Sequence, residues 1–91
     1  MTLRSLLNVL LVSAALIAQA AFAAPERVNV NSADAETLAA VLDGVGLTRA
    51  EAIVAYRQEH GRFGDIYDLA NVKGIGDRTI ELNEERIQLT D

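Results

Sequence analysis

The sequence predicts an all-α domain, a tandem pair of helix–turn–helix units with about five short helices, preceded by a removable leader. Three observations carry that prediction. Apolar side chains recur at helical spacing through residues 32–91. A glycine–apolar–glycine turn occurs twice, as Gly44-Val45-Gly46 and Gly74-Ile75-Gly76, thirty residues apart. The same shift also places Leu42 on Val72, Ala39 on Leu69, Ala50 on Ile80 and Glu51 on Glu81. Each half is too small to bury its own apolar face, so the two halves are expected to pack against each other.

Residues 1–23 have the order of a secretory signal. Arg4 supplies a positive charge, residues 6–18 are almost wholly apolar, and Ala21-Phe22-Ala23 offers small residues at the two peptidase positions. The apolar run is roughly 13 residues, short of the roughly 20 a membrane-crossing helix needs. The expectation is cleavage after Ala23, a periplasmic location, and no membrane span once the leader is gone.

Residues 24–31 are expected to form an extended arm, with Val28 and Val30 alternating against Asn29 and Asn31. Asn31 or Ser32 then caps the first helix, whose buried face is Leu38, Val41 and Leu42. Asp43-Gly44-Val45-Gly46 turns the chain. Thr48 and Glu51 have the spacing of a capping box at the start of a helix over about 49–59, with Ala52, Ile53 and Tyr56 on one face. Gly61 stops it and Phe63 folds back into the core. Asp65 caps a short helix that turns Ile66, Leu69 and Ala70 inward. After Lys73-Gly74-Ile75-Gly76, Asp77 caps a last helix that buries Ile80, and Ile87 packs beyond it.

Composition narrows the function. The 91-residue chain has no cysteine and one histidine, which argues against a disulfide framework and a structural zinc site. Its formal charge is −5, and losing Arg4 with the leader takes it to −6. A protein that binds nucleic acid ordinarily shows a basic patch, so binding here must come from a local site.

The glycine turns supply such a site. Without side chains over the amides, N–H groups at the start of the following helix are open to an anion, and the helix dipole favours negative charge there. Val45 and Ile75 tuck into the core and fix each turn. A phosphate held this way carries no sequence information.

Val28-Asn29-Val30-Asn31 with Ser32-Ala33, the turn at 42–46, Ala52-Ile53 with Tyr56-Arg57, Gly61-Arg62-Phe63, and residues 72–79 occur in the order of ComEA proteins. The chain resembles that family of tandem helix-hairpin-helix proteins over nearly all of residues 24–91. The resemblance implies a periplasmic or cell-surface module that binds incoming double-stranded DNA during natural transformation. It implies type IV pilus or other DNA-uptake machinery as partner, and no catalysis or cofactor. Carried over position by position, the DNA phosphate site is Lys73, Gly74, Ile75, Gly76, Arg78 and Thr79. A weaker second hairpin comprises Gly44, Val45, Gly46, Thr48 and Arg49, with Asp43 standing where the other turn has Lys73. The chain departs from the family in having one lysine and in carrying Asp77 where proline is common. Self-association along DNA is a further expectation.

Bland assignments account for the remaining chemistry-bearing residues. Tyr56 and Phe63 belong to the core, and His60 is a solvated helix-end residue. Asp65, Asp68, Glu81, Glu84 and Glu85 form exposed helix faces, not a metal site; none is expected. The rival functional reading is a periplasmic scaffold or protein-interaction module that keeps the fold with little or no DNA affinity. The negative charge is its main support.

Overall fold

The computed structural model describes residues 26–91. The leader, its cleavage after Ala23 and the start of the arm lie outside these residues. Among the described residues the order is β1 (Val28–Asn29), α1 (Ala35–Val41), α2 (Gly46–His60), a 3-10 helix (Ile66–Asn71), α3 (Asp77–Leu82) and β2 (Ile87–Gln88). Four helical segments thus stand where about five helices were expected.

The domain is mostly helical, but not all-α. The arm does more than lie extended: β1 pairs in parallel with β2, Val28 opposite Ile87 and Asn29 opposite Gln88. The Val28 amide donates to the Arg86 carbonyl at 2.8 Å and the Val30 amide to the Gln88 carbonyl at 3.0 Å. Alternation explains the arm's anchoring. Val28 and Val30 are both buried, so every second residue enters the core while the peptides between them seek partners.

The core draws on both halves of the repeat. Leu42 and Val72, Val45 and Ile75, and Ala50 and Ile80 are all buried at equivalent positions. Leu38, Ile53, Phe63, Leu69 and Ile87 complete the interior. The match fails at Ala39, which is only partly buried where Leu69 is fully so. Phe63 stacks on half-buried Tyr56 with ring centroids 5.4 Å apart, an offset arrangement that aromatic quadrupoles favour.

The helix starts differ from the sequence expectation in three places. Asp34, not Asn31 or Ser32, caps α1, accepting from the Thr37 amide at 2.8 Å. Asn31 is occupied elsewhere: its side chain accepts from the Phe63 amide at 2.6 Å and donates to the carbonyls of Phe63 and Leu89. The Thr48–Glu51 capping box does not form, because α2 begins earlier, at Gly46, and Val45 in the cap position offers no side-chain acceptor. Gly76 precedes α3 with no side-chain cap, and Asp77 lies inside its first turn. A capping box does occur at the 3-10 helix. There Asp65 accepts from the Tyr67 amide at 2.7 Å, and Asp68 accepts from the Asp65 amide at 3.0 Å. In that segment Leu69 is buried and Ile66 half-buried, whereas Ala70 is exposed. The tighter 3-10 winding changes the angular spacing of side chains, and Ala70 falls on the outer side. Gly61 ends α2 at φ 91°, as its sequence position predicts.

Candidate nucleic-acid interface

The two glycine turns share a motif and differ in construction. In the second, the Ile75 amide donates to the Val72 carbonyl at 3.0 Å, closing a four-residue turn with Gly74 at φ 93° in its third position. That position favours glycine because a side chain there clashes with the backbone. Gly76 has φ −107°, which any residue adopts. In the first turn both glycines are left-handed, Gly44 at φ 76° and Gly46 at φ 65°.

Asn83, a residue the sequence offered no reason to choose, holds the first turn. It is 1% exposed. Its side-chain oxygen accepts from the Asp43 amide at 2.8 Å, and its nitrogen donates to the carbonyls of Asp43 and Thr79, both at 2.9 Å. A single amide thus ties the first hairpin to the last turn of α3. The repeat pattern conceals it, because its thirty-residue counterpart, Ile53, is a plain core residue. Only the polar type of Asn83 in an apolar register could have marked it.

The folding brings the turns together. Val45, Gly46, Leu47, Thr48, Arg49 and Ala52 from the first hairpin and α2 line one groove with Lys73 and Gly74 from the second, with a volume of about 630 Å³. A Cβ built on Gly74 would come within 3.1 Å of Arg49 Nε. Most of the first hairpin's predicted residues therefore lie beside the leading edge of the second. The rest are placed otherwise. Ile75 is buried, and its amide is already committed to Val72, so it offers no amide to a ligand. Thr79 is half-buried and borders a narrow internal cavity with Ile80 and Asn83. Gly76 and Arg78 are exposed outside the groove. Among the described residues the amides of Gly74 and Gly76 donate to no protein acceptor.

The cations divide by use. Arg57 donates to the Val30 carbonyl and Arg62 to the Leu89 carbonyl, each at 3.0 Å. Arg86 pairs with Asp43 at 3.5 Å, so the carboxylate that opposes an anion at the first turn has a cation against it. Arg49, Lys73 and Arg78, all exposed, form no ion pair among the described residues. All three border the glycine turns. Carboxylates stand around Tyr67, whose phenol is raised above its ordinary value by desolvation and then by Glu84, Glu81, Asp77 and Asp65; of these, Asp77 adjoins Gly76 and Arg78 of the second turn. His60 is exposed at the end of α2, against the ring of Tyr56 and 3.8 Å from Glu59.

Residues 24–88 match the family model for the helix-hairpin-helix motif. The chain belongs to the helix-hairpin-helix family. Among similar proteins, an uncharacterized protein of Haemophilus influenzae is 44% identical over 62 residues, covering 68% of this chain and 55% of that protein. ComE operon protein 1 of Bacillus subtilis is 50% identical over 54 residues, covering 59% of this chain and 26% of its own length. The chain thus spans 55% of the first relative and 26% of the second. The likeness to ComEA-type helix-hairpin-helix proteins expected from the order of the motifs is borne out. Among the described residues no helix is long and apolar enough to cross a membrane.

Proposed function

We infer that this helix-hairpin-helix domain binds double-stranded DNA without sequence preference, through backbone phosphates, as a periplasmic receptor in DNA uptake. The observation that carries the reading is the placement of Arg49, Lys73 and Arg78. In a chain of formal charge −5, these exposed cations, without ion-pair partners among the described residues, stand at the glycine turns. Of the other cations among the described residues, Arg57 and Arg62 bond carbonyls and Arg86 pairs with Asp43, while Arg27 stands exposed on the N-terminal arm. The likeness to ComE operon protein 1 supports the competence setting. Binding needs no catalytic group, and the domain acts as a receptor, not an enzyme. Uptake machinery such as a type IV pilus is the fitting partner, and chains side by side on DNA would add avidity to a weak single contact.

Fluorescence anisotropy with a duplex of roughly 30 base pairs, titrated at two salt concentrations, tests the reading. The expected result is binding that weakens with salt by a small slope, since few phosphates are touched, and that Arg78→Glu abolishes. No binding at low salt by folded protein would favour the second reading, a periplasmic protein-interaction module. The carboxylates around Tyr67 are the observation on its side, since they suit a basic protein partner.

A further inference from the structure

We propose that the groove between the two hairpins, when free of DNA, docks a second copy of this chain through the acidic face around Tyr67. The groove of one copy takes the Tyr67 face of the next, and the contact closes that groove to DNA. The competition with DNA rests on the DNA-binding reading above; the docking itself does not.

The groove is about 630 Å³, and residues of both turns line it. Val45, Leu47 and Ala52 are its apolar part, while Arg49 and Lys73 are its only charged members. No carboxylate lines it, although the chain holds 13 acidic residues against 8 basic ones. The Tyr67 face has the opposite character. Tyr67 stands on the 3-10 helix, which packs against α3. Asp77 and Glu81 lie four residues apart on one side of α3, and Glu84 follows in the next turn. With Asp65 they stand close enough to act on the Tyr67 phenol. All four carboxylates are exposed, none lines the groove, and none has an ion-pair partner among the described residues.

Each surface also leaves a large apolar side chain in water, Leu47 at 50% exposure and Tyr67 at 44%. Docking covers both, and the ring of Tyr67 presents its face to the cations of the groove. The two surfaces are different patches of one chain, so every copy carries one of each and the contact is heterologous.

Charge sets the conditions. Copies of a chain with formal charge −5 repel at long range, but salt at about 0.1 M screens beyond roughly 10 Å and spares pairs in contact. An exposed ion pair is worth at most about fivefold in affinity, so the docking is weak and reversible. A duplex, with one charge per roughly 1.7 Å, displaces it.

Sedimentation equilibrium of the exported protein without DNA, at about 0.1 M salt, tests the docking. The expected average mass rises above the monomer with concentration and returns to it near about 1 M salt. A groove reversal, Arg49→Glu/Lys73→Glu, and a face reversal, Glu81→Lys/Glu84→Lys, should each weaken association about tenfold or more. An equimolar mixture of the two should restore it, because each reversed surface then meets its reversed counterpart. Melting curves check that both variants are folded, which the exposure of all four side chains favours. A parent that stays monomeric, reversals that associate like the parent, or a mixture that stays monomeric overturns the docking. The competition is read by anisotropy of a labelled duplex half-saturated with the parent. A large excess of the groove-reversed protein, whose Tyr67 face is intact, should release the duplex, and the same protein also carrying Glu81→Gln/Glu84→Gln should not. No release from a parent that associates overturns the competition. A parent that associates through these surfaces yet binds no DNA confirms the docking and overturns the DNA-binding reading.

Discussion

Arg49, at the start of α2, packs on Gly74 in the turn of the other hairpin, so that a Cβ there would meet its Nε at 3.1 Å, Cγ at 3.4 Å and Cδ at 3.4 Å. Three atoms of one side chain in that range mean the guanidinium stem runs along the bare peptide. The two halves of the repeat therefore meet at their turns as well as through the core. Gly74 serves two ends at once, a left-handed turn and a bed for a cation.

The four turn glycines should separate cleanly when each is changed to alanine. Gly44→Ala and Gly46→Ala meet open space but keep a left-handed φ, so the cost is conformational, about 1–2 kcal/mol. Gly74→Ala carries the same strain and also shifts Arg49, so it should lose more DNA affinity than Gly44→Ala at a similar melting temperature. Gly76→Ala has an ordinary φ and free space and carries only the smaller cost of alanine in a cap position, so it should melt above the three left-handed variants. Thermal melts of the four variants check this, and a Gly76→Ala protein less stable than Gly44→Ala would overturn the ranking.

Asn83→Ala removes three hydrogen bonds at a fully buried position and leaves the Asp43 amide and two carbonyls to find new partners. A loss of about 2–3 kcal/mol is expected, which in a domain this small is about 10 °C or more in melting temperature. Asn83→Asp keeps an acceptor for the Asp43 amide yet turns a negative oxygen toward the carbonyls of Asp43 and Thr79, so it should be no better at neutral pH. Calorimetry decides it; a near-neutral Asn83→Ala would mean water replaces the amide there.

The parts of this fold legible in the sequence are those that periodicity and glycine encode. Val45 and Ile75, Leu42 and Val72, and the stop at Gly61 follow from local chemistry that the tertiary structure leaves unopposed. The misses share a different cause. Asn31 looked like a cap because its type suits one, but a nonlocal site at Phe63 and Leu89 claimed its side chain, and Asp34 took the cap. Thr48 and Glu51 had the right spacing for a box, yet the left-handed Gly46 started α2 before them. The parallel pairing of β1 with β2 joins the two ends of the domain, beyond the reach of any pattern confined to a short window. At the site, residue types were visible but their grouping was not. No spacing rule places Arg49 on Gly74, because that contact depends on how two repeats pack.

Asn31 is the clamp that holds the ends of the domain. Its amide bonds both the Phe63 peptide and the Leu89 carbonyl, and Asn29 reaches Asp91 at 2.9 Å alongside it. Asn31→Ala should cost about 2 kcal/mol, concentrated in one region. The Val28 and Val30 amides, bonded to Arg86 and Gln88, should lose hydrogen-exchange protection well before amides near Ile53 do. Uniform loss across the domain would show that β1 and β2 unfold only with the whole.

The cap of α1 should make stability depend on acid in a window that can be assigned. The Thr37 side chain and amide donate to Asp34, and Arg57 adds a smaller attraction, so the carboxyl is held below its ordinary value of 3.8. A group depressed on folding contributes stability that is fully present above its unfolded pKa and disappears as pH falls through the folded one. The gain is thus intact at neutral pH and is lost below about pH 4. Many other carboxylates titrate in the same range, so the informative quantity is a difference. Asp34→Asn keeps a side-chain acceptor for the Thr37 amide at every pH but loses the charge that favours the start of α1. Its melting temperature should lie close to or just below that of the parent at neutral pH. The gap should narrow and then reverse as the parent's Asp34 is protonated in acid, while the asparagine cap persists. Melting curves of both proteins from pH 7 down to about pH 2.5 measure that gap, and a constant difference across the range would show that the Asp34 carboxylate does not contribute through this cap.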